Sequence, residues 1–114
     1  MIELSHLGIC VTDLDRSVAF YAEGLGFTIA ERHEVGADFA RPDTTVATRR
    51  PITTAGLTHL SFRVGDLDAE LTRLIGLGGC EIRGTRTELA DGTLRFVYLT
   101  DPDGTRIELM ELPR

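Results

Sequence analysis

The chain has 114 residues, long enough for one domain with a real core. Its 18 acidic against 12 basic residues give a net charge of −6, which argues against nucleic acid or an anionic membrane surface as partner and leaves a small molecule. Two cysteines, Cys10 and Cys80, no secretory signal ahead of Ser5, and no apolar run near the ~20 residues that cross a bilayer fit a protein of the reducing cytoplasm.

In chain order, Leu7, Ile9 and Val11 alternate with Gly8 and Cys10, which predicts a strand with one face on a core. Asp13 offers a helix cap. Leu14, Val18, Tyr21, Ala22 and Leu25 then fall at helical spacing, closed by Gly24 and Gly26. A second strand is expected from Phe27 to about Val35, and the irregular stretch after it reads as two short strands around a turn at Pro42 and Asp43. The second half predicts a strand through Leu60, Phe62 and Val64, then a helix carrying Leu67, Leu71, Leu74 and Ile75 that stops at "GLGG". Three strands should follow: "EIRGTRTEL", "TLRFVYLT" after the Asp91-Gly92 turn, and "TRIELMEL" after "DPDG", whose Pro and Gly suit a type I turn.

The two halves are copies. "SHLGICVTDLD", from Ser5, and "THLSFRVGDLD", from Thr58, align with a shift of 53 residues, and the same shift carries Val18, Tyr21, Ala22 and Gly26 onto Leu71, Leu74, Ile75 and Gly79. The economical organisation is one domain over 1–114 made of two modules, 1–54 and 55–114. Each is a βαβββ unit of α+β class, with a mostly antiparallel sheet and its helix on one face.

Strand alternation puts His6 on the face of Leu4, Gly8 and Cys10, and His59 on that of Leu57, Ser61 and Arg63, opposite the apolar triplets. A lone histidine in a strand is ordinarily a hydrogen-bonded structural residue. Two at equivalent positions of a repeat, each with a small residue beside it, also suit a shared metal pocket. Glu108 lies in mid-strand between Ile107 and Leu109, where a carboxylate needs a partner: a neighbouring arginine, or a divalent ion held by two imidazoles and one carboxylate with coordination positions left open. Glu111, near the terminus, reads as a solvated carboxylate. Cys10, about 13 Å beyond His6 at ~3.3 Å per strand residue, is core or pocket lining rather than a further ligand.

Together "SHLGICVTDLDRSVAFYAEGLGF", "THLSFRVGDLD" and "FVYLTDPDGTRIELME" resemble the vicinal oxygen chelate superfamily, which includes glyoxalase I, extradiol dioxygenases, fosfomycin thiol transferases and bleomycin-resistance proteins. The resemblance implies paired βαβββ modules forming a cupped sheet around a divalent ion (Fe, Mn, Ni, Co or Zn) held by His6, His59 and Glu108. It also allows Glu108 a catalytic, proton-moving role. A fourth family ligand would fall near Ala47, which cannot bind metal, or on the neighbouring Thr48 or Arg49; the resemblance therefore favours three-ligand sites. Gly8 stands where the transferases carry threonine, and "TELADGTLRF" does not resemble their serine-bearing loop. For extradiol chemistry only His33 and Tyr98 are at hand, and Tyr98 reads equally as core packing with its hydroxyl at the rim.

Gly8, Cys10, Ser61, Arg63 and Tyr98 are the expected pocket residues, with Arg41, Arg49 and Arg63 available to an anionic group and Glu88 or His33 as bases that sequence alone does not place. The expected function is a metal-dependent enzyme that activates a small oxygen-rich substrate by bidentate chelation, in isomerase, lyase or thiol-transferase chemistry. The alternatives are ring-cleaving dioxygenation and a non-catalytic protein that sequesters a drug or metabolite. A homodimer is expected, since small paired sheets leave edges to cover.

Overall fold

Residues 60–111 build the sheet of the protein. The computed structural model describes residues 1–32, 52–53 and 55–113. The second copy of the repeat supplies β1 (Leu60–Val64), α2 (Leu67–Gly76), β2 (Cys80–Glu81), β3 (Thr87–Glu88), β4 (Arg95–Thr100) and β5 (Arg106–Glu111). The first supplies α1 (Leu14–Val18), which runs on into a wider π-helical turn over Ala19–Gly24. Strand order is β1-β5-β4-β2, with β3 also on β4; β1 runs parallel to β5 and the other pairs are antiparallel. The sheet is open, and the architecture is α+β as expected.

Alternation decides which residues make the core. Val97 and Leu99 of β4 and Ile107 and Leu109 of β5 point to one face, where they meet Leu67, Leu71 and Leu74 of α2 and Phe20 from the π turn. The opposite face carries Phe96, Tyr98, Arg106, Glu108 and Met110, and through the register of β1 on β5 it brings Ser61 opposite Glu108. Both helix caps form as the repeat predicts: the Asp13 carboxylate accepts from the Arg16 amide and the Asp66 carboxylate from the Ala69 amide, each at 3.0 Å. Gly79 admits the close approach of helix and sheet, since a Cβ there would lie 2.9 Å from the Leu74 carbonyl oxygen and 3.0 Å from the Phe20 ring.

Four expectations change. "EIRGTRTEL" is two short strands because Gly84, at φ 79°, breaks it; Thr85 then fills the gap in the ladder, its hydroxyl donating to the Ile82 carbonyl at 2.7 Å and accepting from the Tyr98 amide at 3.1 Å. Glu111 is not merely solvated, for its carboxylate accepts from the Leu67 amide at 2.6 Å at the start of α2 and pairs with Arg95 at 3.3 Å. The first helix buries Ser17, Phe20 and Gly24 rather than the stripe of Leu14, Val18, Tyr21 and Leu25, because it packs on the second copy and not on a sheet of its own. Finally, residues 7–11 and 27–32 form no strand. A strand exists only with a ladder partner, and the residues that would correspond to β4 and β5 in the first copy fall within 33–51, outside the described residues. The short strands expected around Pro42, and the positions His33, Arg41, Ala47, Thr48 and Arg49, also lie outside them.

Polar contacts fasten the two copies together. The turn after β4 receives the start of the first helix: Asp103 accepts from the Thr12 amide at 3.2 Å, from the Thr12 hydroxyl, and from the Ser17 hydroxyl at 3.3 Å. Asp101, 2% exposed, accepts from the Tyr21 hydroxyl at 2.8 Å and from the Asp103 and Thr105 amides at 2.9 and 2.8 Å. Burial, followed by the hydrogen bond to Asp101 and the negative charge beside it, pushes the Tyr21 phenol far above the usual tyrosine range. On the far side, Arg73 reaches from α2 to the carbonyls of Glu23 and Gly24, both at 2.7 Å, satisfying acceptors that the end of the π turn would otherwise leave open.

Candidate metal and substrate site

The lead-in to β1 and the middle of β5 bring two of the expected ligands together. His59 precedes β1 directly, and the parallel pairing of β1 with β5 aligns Ser61 with Glu108. The His59 Nε2 atom lies 3.3 Å from a carboxylate oxygen of Glu108, which is only 9% exposed. On the other side, His59 Nδ1 lies 2.8 Å from the Thr58 hydroxyl. With Nδ1–H donating to that oxygen, the Nε2 lone pair faces the carboxylate side, as a ligating imidazole requires.

Tyr98 completes this group. It pairs with Glu108 across the β4–β5 ladder and hydrogen-bonds the Glu108 carboxylate, and its ring stands edge-on to the His59 imidazole with centroids 5.1 Å apart. Burial, then the charge of Glu108 and that hydrogen bond, push the Tyr98 phenol above its ordinary value, so it is a protonated donor at neutral pH. Both sequence readings of Tyr98 describe the same side chain: a packed ring whose hydroxyl is used.

His6 is elsewhere. It is exposed and lines a cavity of about 500 Å³ with Leu4, Tyr21, Phe27 and Ser61, while its Nδ1 atom lies 2.9 Å from the Ser5 hydroxyl. Among the described residues no three His, Cys, Asp or Glu side chains are grouped closely enough to hold one ion. The hydroxyl before each histidine repeats, Ser5-His6 and Thr58-His59. Sequence reasoning passed over it, though a hydroxyl residue at that place in both copies was the signal.

The expected pocket residues divide among several cavities. Gly8 and Cys10 line a space of about 370 Å³ together with Thr58, His59 and Thr105. Ser61 belongs to the His6 cavity, and Arg63 to another of about 320 Å³ beside Glu70 and Arg73. Tyr98 borders a fourth of about 310 Å³, whose wall includes Arg106, a residue sequence reasoning used only to mark the face of Glu108. Cys10 and Cys80 are exposed free thiols, and Glu88 is an exposed residue of β3 whose carboxylate lies 3.9 Å from Arg95, away from the histidine pair. No helix among the described residues is long and apolar enough to cross a membrane.

Chemically, the pair offers one imidazole nitrogen and one carboxylate converging on a common point, backed by Thr58 and Tyr98. That donor set fits a divalent ion of the zinc, iron or manganese type, for which at least one further ligand must be found.

Comparison with known proteins agrees with this frame. Residues 3–109 match the family model of the Glyoxalase/Bleomycin resistance protein/Dioxygenase superfamily. The chain is similar to the uncharacterised protein YwkD of Bacillus subtilis, at 34% identity over 95% of each chain, and to glutathione transferase FosA of Serratia marcescens, at 32% identity over 93% of this chain and 78% of that protein. Its fold resembles that of a glyoxalase-related enzyme from Fulvimarina pelagi, with a TM-score of 0.68 at 24% identity, covering 99% of this chain and 90% of that one.

Proposed function

Because the chain belongs to the Glyoxalase/Bleomycin resistance protein/Dioxygenase superfamily, we propose that it is a metal-dependent enzyme that binds a small oxygen-rich substrate at a divalent ion held by His59, Glu108 and a His6 contributed by a second copy of the chain. The observation that carries this reading is the buried Glu108 carboxylate 3.3 Å from His59 Nε2, an arrangement costly to bury unless something positive joins it. A divalent ion supplies that charge and, with open positions, polarises substrate oxygens and steadies the negative charge that develops on them.

The protein's own groups have separable parts in this scheme. Thr58 fixes the orientation of the His59 ring, and Tyr98 donates to Glu108 and keeps its carboxylate turned toward His59. Glu108 can also take up a proton from substrate, its mid-strand position holding it within the cup. The dimer follows from His6. Within one chain it lies apart from the pair, whereas a two-fold dimer would supply each His59–Glu108 pair with the partner copy's histidine and so form two equal sites.

Mixed dimers test this directly. His6→Ala and Glu108→Ala homodimers should each bind metal well below one ion per chain. A refolded mixture should recover stoichiometric sites in the heterodimer fraction, which contains one intact set. No recovery, or a monomer holding one ion per chain, would overturn the shared site. Oxygen uptake with iron would assign ring cleavage, and activity with other divalent ions without oxygen would assign isomerase, lyase or transferase chemistry.

A further inference from the structure

The face of the sheet that carries Glu108 also carries Arg106, two residues earlier on β5, and the ladder sets Phe96 and Tyr98 of β4 beside them. These residues wall the cavity of about 310 Å³, with Ile82 and Thr87 along its margin. Its chemistry is mixed: a guanidinium and a phenol hydroxyl on one side, an aromatic ring and an aliphatic side chain on the other. Tyr98 belongs to both this cavity and the His59–Glu108 group, so the two adjoin.

We propose that this cavity recognises the anionic group of a small, partly apolar oxyacid, a carboxylate or phosphonate, with Arg106 as the residue that selects for charge and Phe96 as the surface for the apolar part. The proposal deepens the functional reading above by naming the substrate class, and it rests on that reading only for why binding beside Glu108 would matter. Three considerations support it. A planar guanidinium offers paired N–H donors in the geometry of an oxyacid, which a neutral ligand cannot exploit as fully. A net charge of −6 disfavours anions over the surface at large, so selectivity for one needs a local cation. The guanidinium is also tethered, since Arg106 donates to the Thr58 carbonyl at 3.2 Å, and a half-buried, tethered arginine loses less freedom on binding than a surface one. Glu108 bears the opposite charge on the same face, and the Tyr98 hydroxyl that bonds it offsets part of that charge.

The tether also defines the competing role, because Arg106 could serve solely to strap Thr58, and with it His59, against β5. Benzoate and benzamide separate the two roles, being nearly the same shape with and without charge. In chelator-treated protein, calorimetric titration should show benzoate binding about tenfold more tightly than benzamide, the scale of one charge-assisted hydrogen-bonded contact. Arg106→Gln should remove that ratio, Arg106→Lys should retain part of it, and Phe96→Ala should weaken both ligands alike.

A strap alone would lower the melting temperature of Arg106→Gln while the benzoate-to-benzamide ratio stayed as in wild type. That result would overturn the proposal, as would a ratio near one in the wild type, which decides the matter even if Arg106→Gln does not fold. Repeating the titration with zinc distinguishes failure here from failure of the metal site. Benzoate that binds only with zinc, and equally well to Arg106→Gln, is held by the ion, which sinks the arginine and leaves the metal reading standing. Arg106-dependent benzoate binding in a protein that takes up no zinc does the reverse.

Discussion

Leu14 and Leu67 occupy the same place in the two copies of the repeat, directly after the capping aspartate, yet Leu67 is 2% exposed and Leu14 62%. The same contrast runs through the neighbouring segments: Leu7 is 55% exposed and Phe27 53%, while β4 and β5 bury their apolar face completely. Identical local instructions therefore give different burial, and the difference lies in what each helix finds beneath it. α2 covers a sheet made by its own module. α1 and its π turn instead lean on the second copy, turning Phe20 and Gly24 toward Leu74 and Leu99. Local pattern sets where a helix begins; the partner surface sets which side it hides.

The largest expected effect tests this contrast with one substitution made twice. Leu67→Ala removes a buried side chain and should cost about 2–5 kcal/mol in urea denaturation, whereas Leu14→Ala, at a largely exposed position, should stay within about 0.5 kcal/mol. Equal losses would mean that the first copy closes a core of its own in solution, and the contrast between the copies would fail.

A second substitution probes the junction between them. Asp101→Ala withdraws the acceptor from the Tyr21 hydroxyl and from two backbone amides, all in a buried setting, and should destabilise the protein by about 2–4 kcal/mol. Hydrogen exchange should then rise in residues 14–24 more than in β4 and β5, because the first helix depends on this turn while the sheet has its own core. Uniform acceleration through both copies would show instead that they unfold as one unit.

Much of this was legible in advance. Asp13 and Asp66 could be read as caps because a carboxylate at the junction of two periodicities has few other uses, and the second core could be read because alternation and helical spacing both specify faces. Membership of the glyoxalase and dioxygenase superfamily was legible in the paired "H-L" strands and the "DPDGTRIELME" ending. What escaped was whatever depends on depth or on a partner. Alternation put His6 and His59 on corresponding faces but could not say that His6 would lie in a different cavity. It located Arg106 on the Glu108 face but not as the wall of a space, and it gave Ser17 no reason to be buried, since that reason is Asp103, 86 residues later in the chain.

The smallest effect isolates a single bond of the junction. Tyr21→Phe deletes one hydroxyl while Asp101 keeps its two amides, so the loss near neutral pH should be about 1 kcal/mol. Its signature lies in alkali. The folded protein holds the Tyr21 proton far above the usual range, whereas the unfolded chain gives it up near pH ~10, so above that pH the folded state binds a proton that the unfolded state has lost. The contribution of the bond is complete below the unfolded value and drains away as pH rises through it toward the folded one. Wild-type stability should accordingly fall more steeply than that of Tyr21→Phe between about pH 10 and 11, and the two should converge. If the curves stay parallel, the Tyr21 phenol titrates as freely in the folded protein as in the unfolded chain, and the first copy is attached to the second by Phe20 and the Asp103 contacts without it.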